Sequence, residues 1–480
     1  FHNARVVGKT LRRDKFLRGK VRTNRFLKRV FWFCLSLLFL GIGFVCFFTL
    51  RKKPEQRNVV LITVDALRAD HLGCYGYKRN TSPNIDRLAQ EGVLFTQAIA
   101  QSSHTPPSMA AIATSTLPSV NRLRGWGETI NPDIPSIAET LKARGYKTLF
   151  VGGNGSFRDG LHGFDRGFDE FYEEKLPAKN LTQKATALLK KHRATPFFLW
   201  VHYMDVHDYA PENGFGNAFL TDPFYDKQKK LPVFGPSSDL YGKNGIPARL
   251  AEQRGGINNP DYYIALYDGA ILSVDEQIGL LLQSLKLSVS DRNTLVILTA
   301  DHGEMIGERG CYFYHGGPMY EPLIKVPFIL RAPGFLSTKR FDAPIRAGLD
   351  IFPTVSGFLK ISSSQAFEGV DLLSVLRKNG GGNPTYVLSD EGSREKSIRT
   401  SEWKLMYSPA EDTSPATYAL FHIKNDPGEA NDVSATDKNV LEDLKGKLTR
   451  YMGKYAREER STIVLDEEAR MGLKSLGYLQ

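Results

Sequence analysis

Four stretches of the chain place groups able to do chemistry where strands or helices are expected to end or begin. Asp65 follows Asn58 to Val64 (NVVLITV), Asp301 and His302 follow Asn293 to Ala300 (NTLVILTA), and His202, Asp205 and His207 lie at or just beyond the end of Pro196 to Tyr203 (PFFLWVHY). The fourth stretch, SSHTPPSMAAIATSTLPS from Ser102 to Ser119, sets the Thr105 hydroxyl in front of two prolines and a helix-forming run. Thr favours the first half-turn of a helix, and proline is tolerated just inside it. That end of a helix also carries unpaired N–H groups and partial positive charge, which suit an anionic oxygen. Pro106 and Pro107 lack an N–H, so Ser108 and Met109 are expected to offer the first free amides. Taken alone, Thr105 reads as a helix cap at least as well as a nucleophile. Taken together, two carboxylates, an imidazole and a hydroxyl compose a ligand set for one divalent cation, which would help the Thr105 proton leave and polarise an ester oxygen. Mixed oxygen and nitrogen donors admit Mg, Mn, Ca or Zn.

The elements that must position these groups follow from the apolar pattern. Continuous apolar, β-branched runs are the mark of strands buried on both faces of a parallel sheet, and open α/β sheets bind ligands outside the carboxyl ends of their strands. Helical patterns at Asn84 to Gln90, Ile134 to Arg144, Thr182 to Lys191 and Tyr262 to Lys286 separate these strands and one at Lys147 to Gly152, which predicts a mostly parallel central sheet between helices over residues 58–380. Residues 210–260 are rich in Pro and Gly and read as a long insertion able to shape or cover the site. From 385 to 460, short strand-like pieces (Thr385 to Leu388, Ile398 to Thr400, Lys404 to Tyr407, Ala419 to His422) and a helix from Val440 to Lys454 predict a small sheet-plus-helix subdomain. Residues 461–480 form a tail with a helix expected over Glu467 to Leu476.

The formal net charge of +11 is local. Over residues 1–29 eleven Lys and Arg stand against Asp14, and over 51–57 four stand against Glu55, so residues 58–480 carry −2. A near-neutral body lacks the basic surface that nucleic acid requires. Val30 to Leu50 is 21 residues without a charge, long enough to cross a bilayer core of about 30 Å. The expected organisation is a basic cytoplasmic segment (1–29), a transmembrane helix (30–50), a linker (51–57), and a catalytic domain on the periplasmic or extracellular side. Cys34 and Cys46 fall in the apolar run, which leaves Cys74 and Cys311 in the body; two thiols are no disulfide framework.

NVVLITVDALRADHLGCYGY (58–77), TPPSMAAIATSTLP (105–118), LTADHGEMIGERG (298–310) and HGGPMYEPLIKVPFILRAPG (315–334) together resemble the sulfatase family of the alkaline phosphatase superfamily. IRTSEWKLMY (398–407), ALFHIKNDPGEAND (419–432) and LKSLGYL (473–479) are similar to its C-terminal parts. The resemblance implies Asp65, Thr105, Asp301 and His302 as metal ligands, Thr105 as nucleophile, His207 in the substrate-binding segment, and His315 as a contact to the anionic group or a proton donor to the leaving oxygen. His202 is a further candidate for substrate binding, His104 a weaker one, and Asp205 a partner able to orient one of these rings. The chain departs from the family pattern at four positions. Thr105 stands where family members carry a Cys or Ser that becomes formylglycine, Met109 and Thr116 replace two motif arginines, and Ala66 replaces the second acid of the opening pair.

These features together imply a membrane-anchored, metal-dependent hydrolase or transferase that opens a phosphate ester or diester through a covalent Thr105 adduct. The substrate is an anionic ester, with lipid and glycan head groups both compatible. One alternative is a sulfuric ester hydrolase that works without formylglycine. Another is a non-catalytic protein that has kept the fold. Oligomeric state leaves no mark in the sequence.

Overall fold

The computed structural model describes residues 26–38 and 57–455, except 156, 158–161, 212–213, 235–243, 289–290, 363–366, 393 and 411–413. Two compact units are present, Phe1–Gln56 and Arg57–Gln480. In the first, residues 26–38 are helical, and Phe26, Phe31, Trp32, Phe33 and Leu38 are exposed on that helix. Among the described residues no helix is long and apolar enough to cross a membrane. The remainder of the predicted 30–50 span lies outside the described residues, as does the predicted tail helix.

In the second unit, nine strands among the described residues form the central sheet. The sheet runs Lys339–Phe341, Val93–Ile99, Lys325–Arg331, Thr294–Ala300, Asn58–Val64, Phe197–Tyr203, Lys147–Gly152, Glu170–Glu173, with Ile345–Arg346 also pairing along Val93–Ile99. Every pairing is parallel except the two made by Lys325–Arg331, which alone runs the other way. All seven residues of Asn58–Val64, Phe197–Tyr203 and Thr294–Ala300 are buried, as continuous apolar runs require of strands covered by helices on both faces. Each fully buried Val, Leu or Ile contributes about 1.5–3 kcal/mol, so this core can hold charged groups at its rim that would unfold a smaller one.

The predicted helices are present with shifted ends: Pro83–Glu91, Ile137–Ala143, Ala178–Lys191 and Pro260–Ser288. Ser136 and Glu139 close the start of the second of these with a reciprocal capping box. The insertion forms a short parallel pair, Val233–Phe234 with Ile246–Pro247, and a helix Ala248–Gln253. The C-terminal part forms a four-stranded antiparallel sheet, Val387–Asp390, Lys396–Arg399, Lys404–Ser408 and Thr417–Phe421, with the helix Lys438–Tyr455. Ile398, Leu405, Leu420, Leu444 and Leu448 make its own core. It nevertheless belongs to the same compact unit as the large sheet. Ser389 Oγ donates to the Ala100 carbonyl at 2.6 Å and Asp390 N–H to the Gln101 carbonyl at 2.8 Å, beside the turn that leads to Thr105.

Candidate active site

Sheet register puts the two acids side by side. Val64 stands level with Ala300 on one flank and Tyr203 on the other, so Asp65 and Asp301 leave the sheet together. Both are buried. Asp301 Oδ1 accepts from the backbone N–H groups of Ala66 (3.2 Å) and His302 (2.8 Å), whereas Asp301 Oδ2 and Asp65 Oδ1 have no hydrogen-bond partner among the described residues. His302 Nδ1 donates to the Gly303 carbonyl at 2.8 Å, which leaves Nε2 bare in the neutral ring. That nitrogen lies 3.7 Å from Asp65 Oδ1 and 3.6 Å from Asp301 Oδ2, and ligand atoms of all three residues fall within 4.8 Å of one another. Buried carboxylate oxygens without donors are costly unless a cation faces them. The donor set therefore fits a divalent ion, and oxygen-rich ligation with one imidazole does not choose among Mg, Mn, Ca and Zn.

Thr105 is the first residue of the helix Thr105–Thr114, and extended His104 precedes it. The Thr105 side chain does more than cap. Its Oγ1 lies 3.1 Å from His302 Nε2 and 3.4 Å from Asp65 Oδ2, so the hydroxyl points into the acid cluster. The amide expected from Ser108 is not free, because it closes the first helical turn onto the His104 carbonyl at 3.4 Å. The helix end thus delivers a side chain to the site, with Ser108 spent on the backbone.

The histidines sort into two groups. His202 is fully buried behind the acids: Nε2 lies 3.4 Å from Asp65 Oδ2, and Nδ1 lies 2.9 Å from Thr63 Oγ1, which also accepts from Trp200 Nε1. This places it as a support for Asp65 with no exposed face. His207 and His315 lie together, ring centroids 4.9 Å apart, and the His315 ring stacks on His302 at 4.6 Å. His207 Nδ1 meets Asp208 at 3.1 Å, and His315 Nδ1 meets Glu304 Oε2 at 3.1 Å. Asp205, expected to orient a ring, accepts from the Ala178 N–H and so opens the helix Ala178–Lys191. Asp208 and Glu304 are the acids seen against His207 and His315. Glu304 is the fourth residue past its strand in a D-H-G-E run, a spacing that could have drawn attention to it.

Charge is distributed unevenly across the cluster. Burial alone would raise the Asp65 carboxyl, but His207, His202 and His302 hold it well below the usual carboxylate range. Burial and the Asp65 charge push Asp301 the opposite way. Burial pushes Glu304 up to about 7. Burial, followed by the nearby His302 and His207, keeps His315 well below the ordinary imidazole value. One firmly ionised acid beside a reluctant one is the pattern expected of a site that a cation completes.

The three departures other than Thr105 also have structural counterparts. Ala66 adopts a left-handed backbone (φ 57°), its N–H donates to Asp301 and its carbonyl accepts from the Tyr267 hydroxyl. Met109 lies in the main core. Thr116 turns to Thr114, Oγ1 to Oγ1 at 2.7 Å. Neither supplies a cation to the site. A residue with no signal in the sequence is Glu391, from the loop after Val387–Asp390, which reaches Ser102, Ser103 and His104.

A hydroxyl at a helix start thus faces a buried acid and imidazole cluster at the carboxyl edge of the central sheet, an arrangement suited to nucleophilic attack on an ester. The sulfatase family model matches residues 57–361, and the chain belongs to that family. A sulfatase of Formosa agariphila is 26% identical, covering 86% of this chain and 91% of its own. The Delta 4,5-hexuronate-2-O-sulfatase of Bacteroides thetaiotaomicron is 24% identical, covering 89% and 95%. Among solved structures, the phosphonate monoester hydrolase of Agrobacterium radiobacter shares the fold with a TM-score of 0.64 at 19% identity, covering 86% of this chain and 98% of its own.

Proposed function

We propose that the chain is a metal-dependent hydrolase or transferase of phosphate esters, including diesters, that works through a covalent adduct on Thr105. The observation that carries this reading is the placement of Thr105 Oγ1, 3.1 Å from His302 Nε2 and 3.4 Å from Asp65 Oδ2. A threonine can be phosphorylated and released again, but it cannot become formylglycine. Bound by Asp65, Asp301, His302 and Thr105, a divalent ion would supply Lewis-acid stabilisation of the ester anion and of the ionised hydroxyl. The remaining steps fall to the chain's own groups. Thr105 gives up its proton towards the acid cluster and attacks phosphorus as the leaving oxygen departs on the opposite side. His315, paired through Nδ1 with Glu304, passes a proton to that oxygen, and the carboxyl group can resupply the ring. His207 borders the same space and contacts the anion. Water or an acceptor hydroxyl then attacks phosphorus and frees Thr105.

A sulfuric ester substrate is the second reading, favoured by the names of the relatives and by one structural neighbour bound to D-glucosamine-2-N,6-O-disulfate. Bis(4-nitrophenyl) phosphate and 4-nitrophenyl sulfate, assayed side by side with chelator controls, separate the two. Thr105→Ala is expected to lower turnover by at least about 1000-fold and to abolish the labelled adduct. Near wild-type turnover in that variant would sink the assignment of the nucleophile. We also propose that residues 30–50 anchor the chain as a single span, with the catalytic part periplasmic or extracellular. The uncharged run and the exposed apolar side chains over 26–38 support this. Release of the full chain from membranes by high salt alone would overturn it.

A further inference from the structure

We propose that Glu391, supplied by the C-terminal sheet, is a positioning residue of the Thr105 centre: it fixes the turn that carries Thr105 and the ring of His104 in one arrangement. The inference rests on the reading of Thr105 as nucleophile and adds a residue that the family motifs do not point to.

Four contacts converge on this carboxylate from three consecutive residues. Oε1 accepts from Ser102 Oγ (2.5 Å), the Ser103 N–H (2.5 Å) and Ser103 Oγ (2.9 Å), and Oε2 lies 2.7 Å from His104 Nδ1. The next residue is Thr105. The Glu391 side chain is 3% exposed, so these contacts replace water rather than compete with it. Burial would raise the carboxyl, but the His104 ring and the bonds from Ser102 and Ser103 hold it down at about 2, and it is an anion throughout the neutral range.

The same turn is tied to the loop that carries His315. Gly316 N–H donates to the Ser103 carbonyl at 2.9 Å, and Ser103 Oγ also lies 2.9 Å from the Gly317 carbonyl. The Ser103 hydroxyl has a single proton for Glu391 and Gly317, so Glu391 and the Gly317 carbonyl are coupled through one rotor. His104 packs against Gly316, where even a Cβ would come within 3.4 Å of the His104 Cβ. One carboxylate, 289 residues further along the chain than Ser102, therefore sets the relative placement of the nucleophile turn and the proton-donor loop. Displacements near 1 Å at a reacting hydroxyl cost about 100-fold in rate, and loss of groups that orient ligands costs about 10- to 100-fold.

The test compares Glu391→Gln, Glu391→Ala and Tyr451→Phe in the full chain with Thr105→Ala. Tyr451 donates to Asp390 at 2.7 Å and meets the Ser119 hydroxyl, so its variant loosens the same subdomain while keeping the Glu391 carboxylate. Glu391→Ala is expected to lower kcat about 100-fold with KM within threefold, and to weaken divalent-ion binding less than Asp301→Asn does, because Asp65, Asp301 and His302 remain in place. Glu391→Gln retains an acceptor for Ser102 and Ser103 and should recover part of the loss, to about 10-fold. In a His104→Gln background, Glu391→Gln should cost less than it does alone, as expected when one residue acts through the other. Tyr451→Phe should lower Tm and leave kcat unchanged. Orthovanadate affinity, which needs no turnover, should fall in the same order as kcat.

Wild-type kcat and vanadate affinity in both Glu391 variants, with Thr105→Ala inactive, would overturn the inference and leave the nucleophile intact. Losses that track Tm equally in the Tyr451 and Glu391 variants would also overturn it, as evidence of a structural role only. Turnover by Thr105→Ala, or a wild-type chain that neither cleaves an ester nor binds vanadate, would overturn both.

Discussion

The carboxyl edge of the large sheet and the buried charge network of the C-terminal sheet use the same residue types to opposite ends. At the large sheet, Asp65 Oδ1 and Asp301 Oδ2 are buried and have no hydrogen-bond partner among the described residues. In the small sheet, Lys404 is equally buried, but it sits between Glu321 and Glu429, with Arg399 bridging Glu321 through Nε at 3.1 Å and Nη2 at 3.2 Å. Among the described residues no Lys or Arg faces the acids of the first cluster, whereas Lys404 and Arg399 close the second. An incomplete cluster binds something; a closed one holds two segments together. Glu321 precedes the strand Lys325–Arg331 of the large sheet, so the closed network joins the two sheets.

The contrast is sharpened most by removing an acid from the open cluster. Asp301→Asn should reduce turnover at least about 100-fold and weaken divalent-ion binding measured by calorimetry, exceeding the 10- to 100-fold typical of supporting groups. Without added metal the same variant should be more stable, by about 1–2 kcal/mol, because one of two facing buried acids is gone. A variant that unfolds would break the distinction.

Lys404→Met makes the reverse test. It strands Glu429 without a cation, leaves Glu321 to Arg399 alone, and should cost about 3–5 kcal/mol in thermal or denaturant unfolding, while kcat per folded molecule stays near wild type. Unchanged stability would mean that the network is not a clasp.

A smaller effect tests the outermost strand of the large sheet. Glu173 ends its strand with Oε1 accepting from the Gly155 N–H at 2.6 Å, and burial pushes the carboxyl up to about 7. The unfolded chain releases this proton near 4.5, whereas the folded chain keeps it until about 7. Stability from this group is therefore present at low pH and lost as pH rises between those values, by about 3 kcal/mol at most. Glu173→Gln should flatten that decline, so its Tm advantage over wild type should be greater at pH 8 than at pH 5. An advantage independent of pH would refute the assignment.

The open cluster was legible in the sequence because parallel strands report their ends. Asp65, Asp301 and His302 each stand directly after a continuous apolar run, and the period of a fully buried strand has no polar interruption to blur the boundary. Val93–Ile99 is harder to read. Thr96 and Gln97 are half-buried where only the short strand Lys339–Phe341 and its neighbour Ile345–Arg346 cover that flank, so the run lacks uniform apolarity. Lys325–Arg331 carries Pro327, normally a sign against a central strand, and the register shifts there to accommodate it. Glu391 left no trace for a different reason. In DEGSREKS an acid looks like any solvated turn residue, and only the docking of one sheet beside the Ala100–Gln101 backbone makes it part of the site.

The single reversed strand has a further consequence for how the chain is wired. A strand that ascends to the catalytic rim donates the residues after it, and one that descends donates the residues before it. His315, Gly317 and Glu321 reach the rim because they precede Lys325–Arg331, whereas Asp65 and Asp301 reach it because they follow their strands. The rim is thus fed by chain both arriving and departing. The turn beyond Arg331, at the opposite rim, is correspondingly the place where the chain could be cut and rejoined with the smallest disturbance to chemistry.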